Sequence, residues 1–188
     1  IAGIFETWNK IMYSYLLEIT IDILRKKEAG EPLIDKILDA AKQKGTGGWS
    51  TNAALELGVA FDTITASVMA RNISAKKEER IAAAELYSGD TYAREAFKSD
   101  PRQLFEAYRA GSIINHAIGF DLLLEASRTY EWDLNLSEIA RIWTNGCIIR
   151  SGFMEELITL LKETPSANIL LNSRISSQLS GLRSAMLD

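Results

Sequence analysis

The spacing of apolar residues along the chain predicts a protein built from helices. From about residue 4 to residue 27, apolar side chains recur every three or four positions, which is typical of one face of a single amphipathic helix. These side chains are Ile4, Trp8, Ile11, Met12, Tyr15, Leu16, Ile19 and Ile23. Pro32 suits the first turn of a short helix that carries Leu33 to Leu38. A third helix is expected from Ser50, as its N-cap, to Gly58, and a fourth is expected to end near Arg71.

The second half of the chain continues the helical pattern. Ser74 is expected to cap a helix over residues 76–86, whose charged run 76–80 we interpret as a solvated face without function. Residues 86–99 are polar and predict a surface loop. Asp100 and Pro101 have the residue types of a helix N-cap and first position, and the segment 113–124 that follows is apolar nearly all round, as in a buried helix.

Two further helices precede Pro165. Asn135, with Glu138 three residues later, resembles a capping box at the start of one of them. After Gly146 a last clear helix is expected to run to Pro165, and helical spacing continues beyond it. We therefore predict an all-α fold.

Composition limits the kind of molecule. With 188 residues, of which 47% are hydrophobic, the chain is expected to form one domain with a substantial core. A formal net charge of -4 argues against nucleic acid as a partner. A single cysteine, Cys147, cannot form an internal disulfide, and the sequence has no run of 18 apolar residues that would predict a membrane partner. We expect a cytoplasmic protein.

The most informative segment is a glycine-rich loop, Lys44-Gly45-Thr46-Gly47-Gly48-Trp49-Ser50, directly before a predicted helix. Glycines let backbone amides approach an anion closely, and Lys44 and Thr46 supply further donors to phosphate oxygens. The nucleotide-binding spacing G-x-x-x-x-G-K-[ST] is absent, because the lysine precedes the glycines. From the residues alone, a phosphate cradle and a simple turn between two helices remain about equally plausible.

Arg71 lies twenty-seven positions after Lys44, at the end of the fourth predicted helix. Two short helices joined by a tight turn would bring it back toward the glycine loop. The simpler interpretation is an arginine that stabilises the negative end of its own helix dipole. On residue type alone this simpler interpretation is favoured.

Several blocks of sequence resemble the 6-phosphogluconate dehydrogenase family. The most specific are KGTGGWSTNAALELGVAFDTITASVMARNISAKKEERIAAAEL, residues 44–86, and EIARIWTNGCIIRS, residues 138–151. FETWNK, FEAYRAGSIINHAIGFDLL and TYEWDLNLSEIA follow the order and spacing of the same family. The resemblance covers nearly the whole chain. It is weakest over residues 85–101 and after Leu161.

The resemblance implies a role for the chain. Enzymes of this family oxidise 6-phosphogluconate with NADP and release carbon dioxide, giving ribulose 5-phosphate. Their Rossmann domain binds NADP, and an all-helical C-terminal domain binds the substrate and forms a homodimer. Residues 1–188 resemble this helical domain, incomplete at both ends. The Rossmann domain, the family's general-base lysine and general-acid glutamate, and its C-terminal tail have no counterpart in the sequence.

The family also implies the site residues. Its substrate phosphate is held by a lysine and a threonine of the glycine loop and by an arginine at the offset of Arg71, so the resemblance assigns phosphate binding to Lys44, Thr46 and Arg71. It assigns no catalytic, cofactor-binding or metal-binding residue, and the chain alone is expected not to catalyse the reaction. Gly48 departs from the family pattern, which has a lysine there, and Thr144 and Asn145 depart from its R-G-G-C-I-I-R motif.

Two other functions stay open. The chain could be the helical domain of a related hydroxyacid dehydrogenase with another substrate, or a helical module that serves only assembly. His116 is expected to be a core or interface histidine and Cys147 a small buried apolar residue. Arg150 is expected either at the dimer interface or beside a carboxylate, and the sequence does not decide between these.

Overall fold

The computed structural model describes residues 1–42, 44–87 and 100–187. The predicted surface loop over 86–99 lies almost entirely outside these ranges. Backbone contacts group the chain into two compact units, of which the first comprises residues 1–37 and 101–188 and the second residues 38–100. The expectation of one substrate-binding and dimerisation domain over 1–188 stays a prediction.

Unit 1 begins with two helices, α1 (Ala2–Met12) and α2 (Tyr15–Arg25), where the apolar spacing predicted one. The prediction of a continuous helix is wrong because Tyr13 adopts a left-handed conformation with φ 47°. The side chain of Asn9 stabilises this break by accepting the backbone N–H of Ser14 at 2.6 Å. The apolar periodicity continues across the break because both helices contribute to the same buried cluster, through Trp8, Met12 and Leu17.

A short hairpin follows α2. Strands β1 (Lys27–Glu28) and β2 (Glu31–Pro32) pair antiparallel, and a 3-10 helix, Leu33–Lys36, comes directly after them. The short helix predicted from Pro32 is therefore limited to one 3-10 turn, and Pro32 itself ends the hairpin. Proline has no N–H to donate to the strand ladder, so it is tolerated at a strand end, where that donor is not needed.

The remaining elements of unit 1 are five α-helices and a second 3-10 turn. They are α6 (Pro101–Thr129), α7 (Leu136–Trp143), α8 (Gly152–Glu163), the 3-10 turn Ile169–Leu171, α9 (Ser173–Gly181) and α10 (Arg183–Leu187). Pro101 occupies the first position of α6 as predicted, and the Asn135 side chain caps α7 by accepting the N–H of Glu138 at 3.1 Å.

The main core of unit 1 lies where α6 packs with α7, α8 and the C-terminal elements. Its residues include Ile113, Phe120, Met154, Leu157, Leu160, Leu161, Ile169 and Ile175. Within the predicted buried segment 113–124, one stripe of α6 is fully buried and the other positions are mostly half-buried. The middle of α6 is thus the element around which this core is built.

Unit 2 contains α3 (Thr46–Leu57), α4 (Asp62–Ser74) and α5 (Lys77–Leu86). Gly58 ends α3 in a left-handed conformation, φ 69°, as predicted. The prediction that Ser50 caps α3 is wrong, because the helix already begins at Thr46 and the Ser50 hydroxyl donates to the Gly47 carbonyl at 3.0 Å. Ser74 is the last residue of α4 and not the cap of α5.

His116 provides a test of the unit 1 core, because it is the only histidine in the sequence. Its Nδ1 lies 2.7 Å from the Ser112 carbonyl, its ring meets the Phe153 ring edge-on at 5.3 Å, and its Nε2 is buried without a hydrogen-bond partner among the described residues. Burial therefore lowers the pKa of His116 below its ordinary value of 6.5.

We expect this histidine to make the folded state less stable in mild acid. The unfolded chain takes up a proton near pH 6.5, whereas the folded protein does so only at lower pH, so the free energy of unfolding falls as the pH drops from about 6.5 toward the folded-state pKa. The slope due to His116 is at most ~1.4 kcal/mol per pH unit. Urea unfolding of wild type and His116→Met at several pH values from about 5 to about 7.5, the range in which histidine titrates, measures this slope. Parallel pH profiles for the two proteins would contradict the prediction.

The packing of α3 on α4 provides a second test. A Cβ added to Gly47 would lie 2.7 Å from Cγ2 of Val68, a contact that requires the helices to shift. We expect Gly47→Ala to destabilise the protein by about 1–3 kcal/mol in denaturant unfolding. Gly111→Ala is the matched control, because nothing lies within 4 Å of its added Cβ. Val68→Ala removes the clashing methyl, so the double variant should lose less stability than the sum of the single variants. Additive losses would refute the close-packing explanation.

Candidate functional site

The segment before Lys44 is held by side chains from the junction of α4 and α5. We call residues 38–42 the anchored segment; its described residues belong to no helix or strand. Side chains of Arg80, Ser74 and Arg71 contact its backbone in turn. The segment therefore runs antiparallel to the residues that hold it.

Arg80 makes the first of these contacts. Its guanidinium donates to the Asp39 carboxylate at 3.2 Å, to the Asp39 backbone carbonyl at 3.1 Å and to the Ser74 carbonyl at 3.1 Å. Lys77 donates to the other oxygen of the Asp39 carboxylate. Lys77 and Arg80 together lower the pKa of Asp39 from 3.8 to about 2, so this carboxylate is ionised throughout the physiological range.

Ser74 and Arg71 make the next two contacts. The Ser74 hydroxyl accepts the Ala41 N–H at 3.0 Å and donates to the Arg71 carbonyl at 2.8 Å, so a single hydroxyl bridges the segment and the end of α4. The Arg71 guanidinium donates to the carbonyl of Lys42 at 2.9 Å. The two helices thus bring Arg71 back to the chain two residues before Lys44.

The start of α3 has the features of an anion-binding helix end. Gly45, at φ 98°, turns the chain into the helix, and among the described residues no side chain caps the first turn. That turn also has no acidic side chain, whereas the first turns of α4 and α5 contain Asp62 and Glu78. The first amides of a helix lack intrahelical acceptors and carry the positive end of its dipole. Thr46 is the first helical residue, and its side chain is exposed.

The cations of unit 2 differ in how they are paired. Lys76 and Lys77 form ion pairs with Glu79 and Asp39. Lys44 and Arg71 are exposed, and in the described part of the chain neither forms an ion pair with a carboxylate. Arg71 uses one guanidinium nitrogen for the Lys42 carbonyl, which leaves further donors of its planar fork available.

Sequence reasoning predicted Lys44, Thr46 and Arg71 as phosphate ligands, and this stays a prediction; it missed the side chains that hold the anchored segment. The interpretation of the charged run 76–80 as a solvated face is wrong for Lys77 and Arg80, because both bind Asp39. The signal is weak in the sequence, since these contacts join residues about forty positions apart. Trp49 was also left without a role; its side chain is 76% exposed, one turn after Thr46.

The three residues whose roles stayed open all lie in unit 1. His116 packs against Phe153, as expected for a core histidine. Cys147 was expected to be buried, but it is half-exposed. Arg150 lies beside a carboxylate, donating to Glu18 at 2.9 Å, and its guanidinium covers the Tyr15 ring at 4.6 Å.

Two kinds of feature are absent from the described residues, a metal-binding cluster and a membrane-spanning helix. No three or more His, Cys, Asp or Glu side chains of residues 1–42, 44–87 and 100–187 are grouped to hold a metal ion. Over the same ranges, no helix combines the length and apolar character needed to cross a membrane.

Comparison with known proteins gives consistent matches. The family described as 6-phosphogluconate dehydrogenase, C-terminal domain, matches residues 1–187. The decarboxylating 6-phosphogluconate dehydrogenase of Schizosaccharomyces pombe is 43% identical over 91% of this chain and 35% of its own length. The NADP(+)-dependent, decarboxylating enzyme of Bacillus subtilis is 42% identical over 97% of this chain and 40% of its own length.

A solved structure agrees with these sequence matches. The 6-phosphogluconate dehydrogenase of Plasmodium falciparum, solved in its apo form, with its cofactor NADP+ and with its substrate 6-phosphogluconate, superposes with a TM-score of 0.91 at 35% identity. The match covers 98% of this chain and 41% of that chain. The chain thus spans well under half the length of these relatives. It belongs to the 6-phosphogluconate dehydrogenase family and corresponds to that family's all-helical C-terminal domain.

Proposed function

We propose that this chain holds the phosphate group of 6-phosphogluconate for an NADP-dependent, decarboxylating 6-phosphogluconate dehydrogenase. The observation that carries the proposal is the contact between Arg71 and the Lys42 carbonyl, because it brings a second cation to the glycine loop. The uncapped start of α3 supports it, since its amides can donate to the same anion. Lys44, Thr46 and Arg71 are the proposed ligands.

Each ligand has a distinct part. The Arg71 fork can donate to two phosphate oxygens at once, and Lys44 supplies a compact charge, so the pair neutralises a dianion. The Thr46 hydroxyl and the first amides of α3 fix its orientation. Anchoring the phosphate places the sugar carbons at a fixed distance from reacting groups elsewhere in the enzyme, which converts binding energy into positioning.

The chemical steps belong to parts of the enzyme beyond these residues. NADP, when bound, accepts a hydride from the substrate. The glycine loop does not fit NADP, because residues 38–42 before it have no strand structure and it lacks the G-x-G-x-x-G spacing. We assign NADP no residue here, and we propose that the chain alone does not catalyse the reaction.

We also propose that the chain forms a homodimer, as its family membership suggests. Large apolar side chains are exposed in both units, among them Ile11, Ile23, Trp49, Leu55 and Leu171. Burying such surface against a second copy is the usual route to a stable symmetric dimer. A module that serves only assembly is the second candidate function, and it rests on these same side chains. Cytoplasmic location stays a prediction.

Calorimetric titration of the chain with 6-phosphogluconate at low salt tests the phosphate site. We expect Lys44→Ala and Arg71→Ala to weaken binding roughly 10- to 150-fold, the effect of losing a charged hydrogen bond worth about 1.5–3 kcal/mol. Lys76→Ala is the matched control, an exposed lysine of unit 2 already paired with Glu79, and should bind as wild type. Gluconate, which lacks the phosphate, should bind weakly to all four proteins.

Light scattering on the same samples separates the two candidate functions. If wild type is a folded dimer that gives no saturable heat with 6-phosphogluconate, the phosphate site is refuted. Assembly is then the candidate function that remains. If Arg71→Ala keeps the dimer mass and loses the ligand, the phosphate site is supported independently of assembly.

The departure at Gly48 allows a gain-of-function test. Gly48 lies in the first turn of α3, so a lysine there would add a cation near the proposed anion. We expect Gly48→Lys to strengthen 6-phosphogluconate binding on the order of fivefold, the worth of about 1 kcal/mol of partly screened attraction. Gly48→Gln controls for side-chain size. Equal affinity of the Lys and Gln variants in low and high salt would place the phosphate elsewhere.

A further inference from the structure

The anchored segment ends two residues before Lys44, and residues 38–42 form no regular structure of their own. A segment without helix or strand pairing depends on side chains or water for its backbone hydrogen bonds. Here three side chains reach it, Arg80 at Asp39, Ser74 at Ala41 and Arg71 at Lys42. These contacts fix three of the five residues of the segment, Asp39, Ala41 and Lys42.

Two of these side chains cannot serve as phosphate ligands while they make the contacts described. The Arg80 guanidinium is shared between the Asp39 carboxylate, the Asp39 carbonyl and the Ser74 carbonyl, and its Nε is buried. The Ser74 hydroxyl both accepts from Ala41 and donates to Arg71. Their contacts are with the protein itself, so a role in binding must act through the segment.

Ser74 connects one proposed ligand, Arg71, to the anchored segment. Its hydroxyl donates to the carbonyl of Arg71, one turn earlier in α4, and accepts from the residue directly before Lys42, whose carbonyl Arg71 contacts. Loss of this hydroxyl would release the segment beside the Arg71 contact. Lys44 would then be free to move relative to Arg71.

We propose that Asp39, Ser74 and Arg80 are positioning residues that hold the anchored segment so that Lys44 and Arg71 reach the same phosphate. The inference rests on the proposed phosphate site and deepens it. Held in this way, the loop is preorganised and the ligand does not have to order it on binding. When only a fraction of the molecules has the loop in place, the apparent affinity is the intrinsic affinity multiplied by that fraction.

Calorimetric titration with 6-phosphogluconate tests the effect on binding. We expect Ser74→Ala and Asp39→Asn each to weaken binding about two- to tenfold, the consequence of losing one or two hydrogen bonds that hold the loop. Ser74→Thr keeps the hydroxyl and should restore affinity. Glu79→Gln is the matched control, because it breaks an exposed ion pair of α5 that does not touch the segment.

Amide hydrogen exchange, measured without ligand, separates positioning from a general loss of structure. In Ser74→Ala the Ala41 amide should exchange faster, because its acceptor is gone, while the amides in the middle of α3 and α4 keep their protection. Faster exchange throughout unit 2 would mean that Ser74 serves stability alone, and would overturn the inference.

The outcomes distinguish this inference from the proposed function. If wild type binds 6-phosphogluconate and the Ser74→Ala and Asp39→Asn variants bind equally well, the positioning role is refuted and the phosphate site stands. If wild type does not bind, the phosphate site fails and the positioning role fails with it. Weaker binding in both variants, with normal affinity in Ser74→Thr and Glu79→Gln, supports both.

Discussion

The candidate site depends on how the chain satisfies the backbone polar groups of residues 38–42. These groups have no helix or strand partners, so they bond either to side chains or to water. The protein supplies side chains from one short region, the end of α4 and the first turns of α5. Residues that are distant in sequence and lie on a helical frame, which is more rigid than a loop, thereby hold the segment.

The helical frame is itself fixed by a close contact between α3 and α4. Gly47 leaves the space that a methyl group of Val68 fills, so the first turn of α3 lies directly on α4. Arg71 is on the same helix as Val68, three residues further on. In the proposed site the glycine loop has to admit an anion, and Gly47 of this loop also has to bring α3 against the helix that carries Arg71. The two requirements select the same residue type at this position.

The sequence predicted helix content well and helix boundaries less well. Apolar spacing identified the helices because packing preserves it, but the same spacing runs across the break at Tyr13 and therefore could not reveal it. Ser50 and Ser74 were assigned as caps because their residue type suits that position. In the structure Gly45 begins α3 instead, and the Ser74 hydroxyl serves the anchored segment. Lys44, Thr46 and Arg71 were predicted through family resemblance, whereas the contacts of Asp39 with Lys77 and Arg80 depend on tertiary structure that no local pattern encodes.

In the proposed site, Arg71 connects the positioning of the anchored segment with phosphate binding in one side chain. One of its nitrogens donates to the Lys42 carbonyl, and the remaining donors of the same planar group are available to a phosphate. A phosphate that attracts the guanidinium therefore also changes its hydrogen bond to the Lys42 carbonyl. Conversely, any change that loosens the segment around Lys42 also changes where the guanidinium lies. Loop order and phosphate affinity are then linked, and by thermodynamic reciprocity the ligand must stabilise the ordered loop by as much as the ordered loop favours the ligand.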